Sequence, residues 1–372
     1  MDPQIKVFAS LPLAVALDAE LNVDASNWHW VYCLTFPVES LYKFSHKLYK
    51  WIRYAVGVVI GAEGMLSADS DSPNALDYNA ALPAEPADLF YHISDEEKRR
   101  IFPVDAFGAR LTQCLTSSVN TPRRNDFRTQ VLNRDGETCI LTAFDKRYCD
   151  AVHLLPHSKG DMYISTYTYR RSRDPARGDI IEDIDSIRNG LLLFNGAHRL
   201  LGKELAFLRT PNFAMETTDV DPTAPPTEQR YTTHIFGDHP YPPFQLSPSL
   251  KLIGTHDDPP PIIFDAVYAG SVLQHFGTSV LKNDLTETWK DTYPGNVVIV
   301  QLAQREQNQD QQCDTRHQAH EPDALDMLMT LPYVLVPKDE LQVMLREAKE
   351  KAEAAERREV QEKVETWARQ VI

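Results

Sequence analysis

The sequence predicts an α+β protein, and three observations carry that expectation. Short apolar runs bounded by turn-forming residues, at 139–142 and 149–155, read as strands, and Ile187 to Phe194 leads into a helix-like segment holding His198. Apolar residues at helical spacing (Leu41, Phe44, Leu48, Ile52, Ala55) and a long apolar run behind Pro261 read as helices. The chain then closes on a long amphipathic helix, Asp339 to Val371. At 372 residues it exceeds one ordinary core, and composition divides it into four parts: 1–120, 121–215, 216–337 and 338–372.

The first part opens with an apolar run from Val7 to Leu17 that reads as a strand and loop. A signal peptide is the lesser reading, because Asp2 weakens a basic start and no A-x-A site follows cleanly. Trp28, Trp30, Cys33 and Phe36 make an aromatic-rich stretch, and the periodic residues behind it predict a helix facing a core. Val58, Val59 and Ile60, between Gly57, Gly61 and Gly64, read as a short apolar run between turns, with no phosphate-loop pattern. Ser67 to Pro86 reads as a loop or linker.

The third part starts with a Pro/Thr-rich connector, Thr217 to Thr227, followed by a strand at Tyr231 to Phe236. Pro261 suits the first turn of a helix running from Ile262 to Phe276, since its missing N–H would be unpaired there anyway. That helix is apolar on most sides and is expected to be buried. Gln301 to His320 reads as a polar loop; its Cys313, His317 and His320 are zinc-ligand types that lack a fourth member. In the fourth part, Leu341, Leu345, Ala348, Ala352 and Ala355 form a thin stripe that Val360, Val364, Trp367 and Val371 continue nearby. It suits docking on the helix's own domain, or self-association as a short coiled coil.

A formal net charge of −15 argues against a generic nucleic-acid coat. The charge is uneven. From Arg123 to Arg209 fifteen Lys/Arg face twelve Asp/Glu, a net of +3, so the rest carries −18. This near-neutral island is where a polyanion is tolerated. Five cysteines, Cys33, Cys114, Cys139, Cys149 and Cys313, are few and odd in number, which suits a reducing compartment; the expected location is intracellular, cytoplasmic or nuclear. No run of eighteen apolar residues occurs, so no membrane partner is expected.

The chemistry lies in the second part. Its motifs are Cys139, Cys149, "AVHLLPHSKGD" (Ala151–Asp161), "IDSIRNGLLL" (Ile184–Leu193) and His198. Together with "ELAFLRTPNFAM" and "PPPIIFDAVYAGSVLQHFG", these strings resemble the HNH endonuclease family, specifically its fungal-type members. The resemblance implies a ββα-metal module embedded in a larger mixed α/β protein, hydrolysing phosphodiester bonds of DNA or RNA with a divalent metal ion (Mg²⁺ or Mn²⁺, with Zn²⁺ or Ni²⁺ as alternatives). His153 matches the general base, Asn189 the middle letter that orients it, and His198 the metal ligand. An imidazole titrating near neutrality can take a proton from water, and a cation can neutralise charge on the scissile phosphate.

One position departs from many HNH nucleases: Val152 stands where an Asp or His would give a second metal ligand. Asp150 and Asp185, with Asp183 beside them, are the candidates to replace it. Arg170, Arg171, Arg173 and Lys159 are the candidate phosphate contacts. Cys139 and Cys149 read as small buried hydrophobes first and zinc ligands second. The rival readings are a ββα scaffold that binds without cutting, and an interaction protein in which the other parts make the contacts.

Overall fold

Ile5, Val7, Ala9 and Leu11, at every second position, bury one face of a strand completely, and β1 (Gln4–Pro12) is that strand. It lies inside a four-stranded sheet. β2 (Trp28–Pro37) pairs with it antiparallel, and the aromatic-rich stretch is this strand. A short helix α1 (Val38–Leu41) leads to α2 (Leu48–Ile60). β3 (Gly64–Ser67) and β4 (Ala87–Ile93) complete the sheet in the order β2-β1-β4-β3, with β1 and β4 parallel.

The computed structural model of the protein describes residues 3–13, 15, 21–74, 76–105, 122–225, 227–237, 246–250, 252, 254–289 and 292–293. Cys114, the loop 301–320 with Cys313, His317 and His320, and the expected terminal helix 339–371 lie outside them.

Two local expectations are corrected. Val58, Val59 and Ile60 are the last residues of α2, not a run between turns. The helix passes through Gly57 because that site has no room for a side chain: a Cβ would stand 2.4 Å from Phe213 Cζ. It stops at Gly61, whose φ of +81° is a left-handed cap, with the N–H bonded to Gly57 O at 2.7 Å. The predicted strand 139–142 is instead a turn, in which Ala143 N–H returns to Cys139 O at 2.8 Å and Cys139 N–H bonds Phe144 O.

After α3 (Asp95–Arg100) come α4 (Pro122–Asp135), β5 (Cys149–His153), α5 (Gly160–Arg171), β6 (Gly190–Phe194) and α6 (Asn195–Leu200). β5 and β6 form a separate antiparallel pair, Cys149 opposite Phe194 and His153 opposite Gly190, and α4 packs on both strands. A second ribbon joins β7 (Leu205–Thr210) to β8 (Arg230–Ile235). α7 (Pro261–Phe276) starts on its proline, packs against α2 and β7, and buries residues on all sides. α8 (Ser279–Thr288) lies on β2, its first turn capped by the Thr278 hydroxyl.

Trp51 is the centre of the apolar core. It is fully buried, stacks on Phe44 at 4.6 Å and 6°, and donates its indole N–H to Tyr268 Oη at 2.7 Å. Tyr268 Oη in turn lies within hydrogen-bonding distance of His234 Nδ1, at 2.8 Å.

Candidate active site

β5 carries a titratable group near each end. At its end, His153 Nε2 lies 2.8 Å from Asp185 Oδ1. The imidazole stacks flat on Phe127 of α4, with ring centroids 4.0 Å apart and 8° between the planes. Its side chain is 15% exposed and that of Asp185 is 3% exposed, so the dyad is sheltered but reachable. A second imidazole, His157, approaches the same Asp185 oxygen at 3.6 Å. Near the start of the strand, Asp150 Oδ2 lies 3.0 Å from His198 Nδ1 of α6. The Asn195 amide, with its nitrogen turned inward, reaches the same Asp150 oxygen at 3.1 Å.

Asn189 joins the loops around the first pair. It is fully buried. Its Oδ1 accepts from Leu155 N–H at 2.8 Å, and its Nδ2 donates to Leu155 O at 3.0 Å and Ile184 O at 2.9 Å. Its backbone carbonyl accepts from Leu154 N–H at 2.8 Å. The chain just after His153 is thereby tied to the chain just before Asp185. Asp183 acts locally, its Oδ1 accepting from Asp185 N–H at 2.7 Å.

Asp185, expected with the metal ligands, is hydrogen-bonded to His153, and the His198–Asp150 hydrogen bond does not include it. Among the described residues, no three His, Cys, Asp or Glu side chains are grouped so as to hold one metal ion.

The phosphate-contact expectation is corrected at three of its four positions. Lys159 is buried against Asp105. Arg171 is buried, donating Nε to Phe102 O and Nη1 to Val58 O at 2.8 Å each, and its guanidinium lies over Tyr167. Arg173 is paired with Glu97 and Glu63. Arg170 is half-exposed. Lys159, just before α5, and Arg171, at its end, are turned inward, which charge counting does not reveal.

Cys139 and Cys149 are buried as expected, 2% and 3% exposed, but they do not behave as plain hydrophobes. The hydrogen bond from Cys149, with backbone N–H groups, brings the Cys139 thiol down to about 5 against the opposing effect of burial. The same hydrogen bond and burial push the Cys149 thiol up.

Sequence reading missed Phe127, His157, Asn195 and Arg134. His157 carried a signal, four residues after His153 in "HLLPH". Phe127 and Arg134 carried none, because their partners lie 26 to 123 residues away along the chain: Arg134 donates to Ile187 O, Gly190 O and Asp257 O while bonding Asp135.

No curated protein and no solved structure matches the chain. Residues 139–208 match the family model described as HNH endonuclease. The segment that holds β5, β6 and α6 is therefore similar to HNH endonucleases, which suggests a nuclease-type function.

Proposed function

We propose that this domain is a ββα-metal centre that hydrolyses phosphodiester bonds of DNA or RNA, with His153 as general base. The observation that carries the reading is the His153–Asp185 dyad, braced by the bonds of Asn189 and the ring of Phe127. With the proton on Nε2 and directed to Asp185, the basic lone pair resides on Nδ1, the atom that takes a proton from the attacking water. Asp185 stabilises the imidazolium as that proton arrives. His198 and Asp150 are the residues that would hold a divalent cation, which supplies charge neutralisation at the scissile phosphate when bound. The motif strings favour the fungal-type subgroup, and no described helix is long and apolar enough to cross a membrane.

A second reading has its own support. The two-donor metal site and the burial of Lys159 and Arg171 favour a scaffold that binds without cutting. The test is a supercoiled plasmid and a structured RNA incubated with Mg²⁺ or Mn²⁺, using wild type, His153→Ala and His198→Ala. Cleavage by wild type that His153→Ala loses supports the nuclease reading. No cleavage of either substrate, or equal cleavage by His153→Ala, replaces it with the scaffold reading.

A further inference from the structure

The loop that follows β5 is pinned on both sides of one half-exposed imidazole. Asn189 holds both backbone groups of Leu155. Lys159, buried against Asp105, closes a short turn with its N–H on Pro156 O at 2.9 Å. His157 stands between these anchors. Its side chain is 33% exposed against 15% for His153, so it is the more open of the two. The ring centroids lie 5.4 Å apart and the planes meet at 62°.

Both imidazoles turn Nε2 toward one oxygen, Asp185 Oδ1, which lies 2.8 Å from His153 and 3.6 Å from His157. The shorter distance is a hydrogen bond. The longer one is outside hydrogen-bond range, so charge links His157 to this carboxylate. With each Nε2 turned to Asp185, Nδ1 is the nitrogen turned away from it on each ring. One carboxylate facing two imidazoles can balance one imidazolium, on either ring.

We infer that His157 is the proton donor to the leaving oxygen, paired with His153 as the base. The inference rests on the nuclease reading. Phosphodiester hydrolysis needs two proton transfers: the attacking water loses a proton, and the departing alkoxide gains one. The water proton goes to His153 Nδ1 as the new O–P bond forms. The bond from phosphorus to the leaving oxygen breaks, and that oxygen takes the proton from His157 Nδ1. The products are an alcohol and a phosphate monoester. One imidazolium is consumed at His157 and one is formed at His153, so these two rings and Asp185 carry the same total charge before and after. Asp185 faces the imidazolium in both states. Imidazole gains and loses a proton near neutrality, which both roles require.

The assignment has a chemical signature. An alkoxide is a poor leaving group and depends on the donated proton, whereas a thiolate is a much weaker base and departs without it. Sulfur in place of the leaving oxygen therefore removes the need for His157 and keeps the need for His153.

The test uses the full chain as wild type, His153→Ala, His157→Ala and His157→Gln, with Mn²⁺ and with folding checked by melting. The ends of the wild-type products show which bridging oxygen leaves. An oligonucleotide with sulfur at that position is then compared with the ordinary one, each variant being referred to wild type on the same substrate. Both His157 variants are expected to slow cleavage of the ordinary substrate by about 10²–10⁴-fold and to cut the sulfur-bridged one at close to the wild-type rate. His153→Ala is expected to be slow on both. The inference is overturned if His157→Ala cuts the ordinary substrate like wild type, or if it is equally slow on both, since a structural role affects both alike. Should His157→Ala fail to fold, His157→Gln, which keeps a polar side chain, carries the comparison. Wild type that cuts neither substrate overturns the nuclease reading and this inference with it; the other failures leave that reading standing.

Discussion

In the four-stranded sheet, β1 buries Ile5, Val7, Ala9 and Leu11 completely, and the α2 and α7 helices cover Trp51, Phe36 and Phe276 in one continuous aromatic core. The β5–β6 pair is held differently. Five-residue strands bury little area, and their geometry depends on polar anchors: Arg134 with Asp135 and three carbonyls, Asn189 with two loops, Cys139 with three N–H groups. The difference matters because apolar burial is non-directional, whereas each hydrogen bond fixes a direction. A region whose task is to hold side chains at set angles is the one that uses directional anchors at the expense of area.

The comparison can be broken first at the chemistry. His153→Ala is expected to lower nucleic-acid cleavage by about 10²–10⁴-fold, and to lower thermal stability as well, because it leaves the buried Asp185 carboxylate without its imidazole partner. Parallel rate and melting measurements check both halves.

The apolar region is expected to respond next. Trp51→Ala removes a fully buried ring and its stack on Phe44, and should cost about 3–5 kcal/mol in urea unfolding. It should leave the His153 environment intact below the transition, visible as an unchanged His153 NMR signal.

In the polar region, Arg134→Met keeps length and removes charge. It leaves Asp135 buried without its partner and Gly190 O without a donor, and should cost about 3 kcal/mol. Asn189→Ala should cost ~1–3 kcal/mol, because the Leu155 and Ile184 backbone groups lose their partners. Unlike Trp51→Ala, both should raise hydrogen exchange at Leu154 and Leu155 before global unfolding. Equal protection in the variants would remove the distinction between the regions.

The smallest effect concerns pH. Burial, with Lys43 nearby, brings His234 down to about 3 from its usual 6.5. The unfolded chain takes up this proton below pH 6.5 and the folded protein does not until about pH 3. The group therefore makes no demand above pH 6.5, and stability is lost as pH falls through that window. His234→Gln, which can still accept from Tyr268, should flatten the acid limb of the stability curve, read from urea midpoints between pH 6.5 and 4.

Much of this protein was legible in its residues because the relevant signals are local. Pro261 and the apolar run behind it point to α7, the apolar run from Val7 points to the strand β1, and "AVHLLP", "RNGLLL" and His198 mark the segment similar to HNH endonucleases. The turn at 139–142 was not legible: an apolar tetrapeptide reads as strand, and only the N–H groups converging on the Cys139 sulfur bend it. The inward burial of Lys159 and Arg171 was hidden for the same reason, since their partners Asp105, Phe102 and Val58 lie 54 to 113 residues away. Sequence by itself determined which residue types line the site, through spacing within a single strand or loop. Tertiary structure alone decided that Asp185 belongs to His153 and Asp150 to His198, because a side chain's partner is set by which distant segments pack together, and that packing is a property of the whole core.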